Sequence, residues 1–136
     1  APAGVRRAMR ALLDTHTFLW WNTDDPQLSS KARALIADGH NEIYLSVASA
    51  WEIAIKAARG SLILPEPPDE YVRSRLRLHR MLVLTVQLRH ALTVYDLPMI
   101  HRDPFDRLLI AQSRVEDLPL LTMDSQIAQY GVVVVW

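Results

Sequence analysis

The chain contains no cysteine. That excludes a disulfide framework and any thiolate-ligated zinc or iron–sulfur centre. Glycine is scarce, with four in 136 residues, so a Gly-rich phosphate-binding loop has no material to form from, and no Gly-x4-Gly-Lys-Ser/Thr run occurs. No apolar stretch approaches the roughly 20 residues of a membrane span. The N-terminus lacks the apolar core of a secretory signal, and the expected location is cytoplasmic, with no membrane partner. Excess charge of one sign is also missing. Fifteen basic and 15 acidic residues leave a formal net charge of zero, so any case for nucleic-acid binding rests on where the charges lie.

What is present is an apolar half of the sequence with 22% charged residues, the balance of a soluble globular domain. Residues 1–8 read as a tag or disordered extension, since Met9 opens a natural-looking start. Residues 9–136 read as one domain. Short apolar runs at 10–13, 43–46, 82–86, 119–123 and 132–136 predict strands. Between them lie a short helix around Thr17–Trp21, a helix capped by Ser29 or Ser30, and one capped by Ser46 or Ser49 that stops near Gly60. Further helices are expected at about 69–80 and 88–96, and from Asp103-Pro104 to about Glu116. In the third helix Val47, Ala50, Trp51, Ala54 and Ala58 recur at helical spacing, which predicts that they face the core. Strands alternating with helices predict an α/β fold: a mainly parallel sheet of about five strands with helices on both faces, a three-layer arrangement.

Four carboxylates carry the chemical signal. Asp14 and Asp124 follow predicted strands directly, and ligand sites in open parallel sheets lie beyond the strands' carboxyl ends. Glu52 sits inside a largely apolar helix, where a buried acid needs a partner; a surface pair with Lys56 four residues on is the plainer reading. Asp106 belongs to Asp103-Pro-Phe-Asp106, a sequence that also suits a helix start with a capping-box-like arrangement. Crowded carboxylates repel, and one or more stays protonated unless a cation neutralises them. Hard divalent cations such as Mg²⁺ or Mn²⁺ suit an all-oxygen set.

Other groups offer support. Arg73, Arg77 and Arg80 are spaced to share one helical face, a phosphate-contacting strip if it is not merely a solvated surface. Arg102 and Arg107 flank the acids; Arg107 equally suits a salt bridge to one of them. Phe18, Trp20 and Trp21 crowd one short segment, and at least one is expected to be exposed at a dimer or partner contact. The five histidines show no metal spacing. His16 and His101 lie near the acids and are expected to orient or pack, because imidazole is not a preferred Mg²⁺ ligand.

The segments Leu12-Leu-Asp14-Thr-His-Thr-Phe-Leu-Trp-Trp21, Leu45-Ser-Val-Ala-Ser-Ala-Trp-Glu52-Ile-Ala-Ile-Lys56, His101-Arg-Asp-Pro-Phe-Asp106-Arg-Leu-Leu-Ile-Ala-Gln112 and Leu120-Leu-Thr-Met-Asp124 resemble PIN-domain ribonucleases of the VapC toxin type. The resemblance runs through nearly all of residues 9–136. It implies a PIN-like fold and the four-acid site Asp14, Glu52, Asp106 and Asp124, with Thr122 at a hydroxyl-bearing position and Asp103 as a secondary ligand or a cap. It further implies Mg²⁺- or Mn²⁺-dependent cleavage of RNA, tRNA or rRNA, to 5′-phosphate and 3′-hydroxyl ends, a cognate VapB-type antitoxin, and a homodimer. The alternative is a PIN-like module that binds RNA or protein without cutting. A haloacid-dehalogenase-type phosphatase would need a second aspartate where His16 stands.

Overall fold

The computed structural model describes residues 8–136; the expectation for the first eight residues falls, apart from exposed Ala8, outside the described residues. Five strands form one all-parallel sheet: β1 (Arg10–Leu13), β2 (Glu42–Ser46), β3 (Leu82–Leu84), β4 (Leu120–Leu121) and β5 (Val134–Val135). Their spatial order is β3-β2-β1-β4-β5, with Leu13 opposite Leu45 on one side and Leu121 on the other. The sequence-based strand positions hold, although β3, β4 and β5 are shorter than the apolar runs that announce them.

Seven helices cover the sheet: α1 (Thr15–Thr23), α2 (Ser30–Ala37), α3 (Val47–Ala58), α4 (Pro68–Leu78), α5 (Leu88–Thr93), α6 (Pro104–Glu116) and α7 (Ser125–Ala128). Their starts follow local chemistry. Ser29 and Ser46 accept N–H bonds from Ala32 and Ala48, and Pro104 sits where its missing N–H costs nothing. Gly60, at φ +76°, lets the chain turn back after α3.

Successive β1 residues feed opposite cores, as the two-residue period of a strand requires. Ala11 and Leu13 join Phe18, Ala32, Ile53 and Tyr71, under α1, α2 and α4. Leu12 joins Leu109, Ile110 and Ile127, under α6 and α7. Each large side chain buried in this way contributes roughly 1.5–3 kcal/mol. Phe18 is fully buried, whereas Trp20 and Trp21 are only partly so, against the edges of Trp136 and His79.

One expectation is overturned. The apolar stripe of α3 faces outward: Trp51 is 59% exposed and Val47 41%, and Ala54 and Ala58 are exposed with them. The buried residues are Ala48, Ser49, Glu52 and Ile53. The helix turns a partly polar face inward because that face lines the carboxyl edge of the sheet.

Strand order locates this edge. The chain runs outward from β1 to β2 and β3, then returns to place β4 on the other flank of β1. The two directions diverge between β1 and β4, where α/β sheets open a crevice at their carboxyl ends.

Candidate active site

Asp14 occupies this switch point. It leaves β1 and at once caps α1, its Oδ1 accepting from the Thr17 amide at 2.8 Å and the Thr17 hydroxyl at 2.5 Å. Its Oδ2 accepts from the Thr122 hydroxyl at 2.6 Å. Thr122 is the first residue after β4, so this bond ties the two diverging strands together. Asp14 is buried, and three donors fix both its oxygens.

Glu52 enters from α3 and is buried as well. Its Oε1 accepts from the Thr15 hydroxyl at 2.6 Å and its Oε2 from Lys56 Nζ at 2.5 Å. The expected pairing with Lys56 therefore exists, but with a buried acid rather than on an open surface. The Thr15 hydroxyl also lies 2.9 Å from that of Ser49, so α1 and α3 are clasped across the acid.

The third group is built around His101. Its Nδ1 accepts the backbone N–H of Asp103 at 3.0 Å, which leaves the ring proton on Nε2. Nε2 lies 2.9 Å from Asp124 Oδ2 and 3.1 Å from Asp106 Oδ2. One imidazole thus bridges a carboxylate in the first turn of α6 and one that caps α7. Among the described residues, His101, Asp106 and Asp124 bring one ligand atom each within 4.8 Å of one another.

Asp103 and Asp106 divide the roles that the sequence leaves merged. Asp103 caps α6, with Oδ1 accepting from Phe105 and Asp106 amides at 2.8 and 3.1 Å. The reciprocal half of a capping box is supplied by His101, which takes the Asp103 N–H. Asp106 is thereby free to point into the cluster. Asp124 caps α7 through Oδ1 to Gln126 and turns Oδ2 to His101.

Electrostatics join the groups. Asp106 is pushed up to about 7, first by burial and then by Asp103, with Asp14 and Glu52 adding to the rise and His101 opposing it. Asp14 and Glu52 thus act on Asp106 through their fields. The donors are carboxylate and hydroxyl oxygens plus one imidazole, and the carboxylates carry more negative charge than they hold comfortably. That chemistry fits a hard divalent cation.

The arginines fare differently. Arg107 is buried and donates to the carbonyls of Val94, Leu97, Pro98 and His101 and to the Tyr130 hydroxyl. It braces the segment before α6, and among the described residues its guanidinium is bonded to carbonyls and a hydroxyl rather than to a site acid. Arg73 and Arg77 are exposed on α4, and Arg73 pairs with Asp69 at 2.5 Å. Arg80 lies past the helix end at φ +54°, so the three do not form one helical strip. Arg102 is exposed beside His101.

The bridging geometry of His101 and the clasp formed by Thr15, Thr17, Ser49 and Lys56 were not legible as site features. A signal existed in Ser49, Glu52 and Lys56, a polar stripe at i, i+3, i+7 on an otherwise apolar helix.

Residues 11–133 match the PIN domain family. A 56-residue segment is 48% identical to Ribonuclease VapC16 from Mycobacterium tuberculosis (strain ATCC 25618 / H37Rv), covering 38% of this chain and 40% of that protein. The match thus spans two fifths of the curated relative's length. A chain of VapBC2 from Rickettsia felis, solved bound to a DNA fragment from its promoter, superposes with a TM-score of 0.69 at 13% identity, covering 93% of this chain and 98% of that one. VapBC-1 from nontypeable Haemophilus influenzae gives 0.62 at 16% identity, covering 93% and 97%. At such identities the likeness is one of fold.

Proposed function

The chain belongs to the PIN-domain family, and from that premise we propose that it is a metal-dependent endoribonuclease, the toxin of a VapBC-type pair, acting in the cytoplasm. The observation that carries this reading is the grouping of His101, Asp106 and Asp124, with one ligand atom each within 4.8 Å of one another, together with Asp106 pushed up to about 7 by burial and by neighbouring acids that include Asp14 and Glu52. A scaffold would gain nothing from so costly an anionic cluster.

In this reading Asp14, Glu52, Asp106 and Asp124 hold Mg²⁺ or Mn²⁺, and Asp103 and Thr122 support them. When bound, the cation supplies Lewis acidity to a water nucleophile and to the scissile phosphate. The chain's own residues do the positioning. Thr17 and Thr122 fix Asp14, Thr15 and Lys56 fix Glu52, and His101 holds Asp106 beside Asp124. In-line attack by water leaves 5′-phosphate and 3′-hydroxyl ends. Arg102, and more distantly Arg73, Arg77 and Arg80, serve phosphate contact in a tRNA or rRNA substrate. The similarity to Ribonuclease VapC16 supports the activity, and the VapBC neighbours support a cognate VapB-type antitoxin. A homodimer belongs to the same proposal.

The test is cleavage of a mixed tRNA and rRNA pool with Mg²⁺, Mn²⁺ or EDTA, by wild type and Asp106→Asn. Discrete metal-dependent products from wild type alone, with 5′-phosphate ends, support the proposal. No cleavage by antitoxin-free protein turns the reading to a binding module.

A further inference from the structure

Beside the acid cluster, between α1 and the 61–65 loop, lies a cavity of about 350 Å³, within the size range of small-ligand sites. Nothing in the site described above uses it. Its wall toward the carboxylates is made by Thr15 and Lys56, the two residues whose donors hold Glu52. Whatever fills the cavity therefore sits one side chain away from a site acid.

The rest of the lining is largely apolar and aromatic. Trp20 and Leu64 line it with His16, and the His16 and Trp20 rings lie 5.6 Å apart at 34° on one face of α1. His16 is exposed. The hydroxyls of Thr23 and Ser61 are part of the lining. Both give their protons to backbone carbonyls, of Leu19 at 3.1 Å and Lys56 at 3.2 Å. What remains on them is acceptor capacity, which matches the N–H groups on a base edge.

A ligand suited to this lining carries a phosphate toward Thr15 and Lys56, the residues that hold Glu52, and a flat, largely apolar group against the remaining lining. A nucleotide joins these two groups through one ribose. Unpaired bases are held in proteins by stacking on aromatic rings and by edge hydrogen bonds. We propose that the cavity between α1 and the 61–65 loop is a subsite for one unpaired nucleobase flanking the phosphate that is cut. Lys56 stands at the boundary, its side chain 37% exposed, where the ribose-phosphate must pass. The proposal rests on the ribonuclease reading and adds to it the recognition of one unpaired position.

The experiment takes an RNA oligonucleotide that the wild type cuts at one phosphate and replaces each base in turn by an abasic residue. One position next to the cut is expected to lose about 5- to 150-fold in kcat/KM, the range for one stacked base. That loss should disappear in His16→Ala, which removes a ring, and in Ser61→Trp, which fills the cavity. Both residues are exposed, and thermal midpoints show that the variants fold. A flat abasic profile, or a penalty that survives both variants, overturns the subsite while leaving the nuclease reading intact. Variants that weaken binding of the antitoxin yet leave the abasic profile unchanged overturn it in favour of a protein-docking groove. If the wild type cuts no RNA with Mn²⁺, the nuclease reading fails. The subsite is then judged by fluorescence anisotropy of a single-stranded RNA oligonucleotide, intact and with each base in turn made abasic, on the wild type: base-dependent binding lost in Ser61→Trp supports it, and base-independent binding overturns it.

Discussion

Asp106→Asn should make the metal-free protein more stable at pH 8, not less. The wild-type carboxyl titrates near 7 in the fold against an ordinary 3.8. The folded state therefore binds more protons than the unfolded state between those values, and stability falls as pH rises through that window. The favourable contribution is complete below pH 3.8 and lost above about 7. At 1.36 kcal/mol per unit, the ionised group costs the fold at most about 4 kcal/mol at pH 8. Its side chain is 23% exposed, so solvent screening trims this only modestly. Asparagine is close to isosteric and cannot ionise, so it removes the penalty, and the His101 Nε2–H can still donate to its carbonyl oxygen. The assay is urea unfolding in EDTA at pH 5.5 and 8. Wild type should lose about 2 kcal/mol between them from this group, and the variant should lack that component of the slope. Adding Mn²⁺ at pH 8 should restore the wild type, by about 2.7 kcal/mol at a hundredfold excess over Kd, and leave the variant nearly unmoved. Equal pH slopes in the two proteins, or a variant less stable at pH 8, would refute the argument that burial and like charge strain this site.

The other predictions concern positions that the fold separates sharply. Loss of the imidazole bridge in His101→Ala should weaken Mn²⁺ binding about 10- to 100-fold by calorimetric titration, the usual effect of removing a group that orients ligands; unchanged affinity would remove His101 from the site. Arg107→Ala leaves several buried carbonyls without a donor and should cost more than about 3 kcal/mol in urea unfolding, whereas exposed Arg102→Ala should stay within about 0.5 kcal/mol. Similar values for the two would contradict the bracing role of Arg107. Trp51→Ala should cost no more than about 1.5 kcal/mol, its edge contact with Phe105 at 5.2 Å, while Phe18→Ala at the core should cost about 3–5 kcal/mol; thermal unfolding distinguishes the two.

These contrasts mark where sequence reasoning reached and where it stopped. The place of Asp14 at the end of β1 and the start of α1 was legible because an acid directly follows a short apolar run, and the alternation of strands and helices fixed the sheet class. The inward face of α3 was not, because counting apolar residues assumes that burial and hydrophobicity coincide. They part company where a helix flanks a site: Ser49 and Glu52 are buried with hydroxyl and ammonium partners, and Trp51 is pushed outward. Arg107 misled for a related reason. A cation next to an acid in sequence suggests a pair, but on α6 it points to the carbonyls of the preceding segment.

The same geometry explains how four to five acids coexist in the fold at all. Asp14, Asp103 and Asp124 are each the N-cap of a helix, and Asp106 lies in the first turn of α6. The positive ends of α1 and α6 therefore each carry site acids, and acids near such ends are stabilised by roughly 0.3–1 kcal/mol each. Capping thus offsets part of the repulsion, and hydroxyls, Lys56 and His101 offset more. Asp106 is left with the remainder: its own oxygens cap nothing, His101, its one side-chain partner among the described residues, is shared with Asp124, and Asp103 stands beside it. The residue whose charge the fold compensates least is the one on which an added cation acts most strongly, and helix capping and ligand provision are then one arrangement rather than competing explanations.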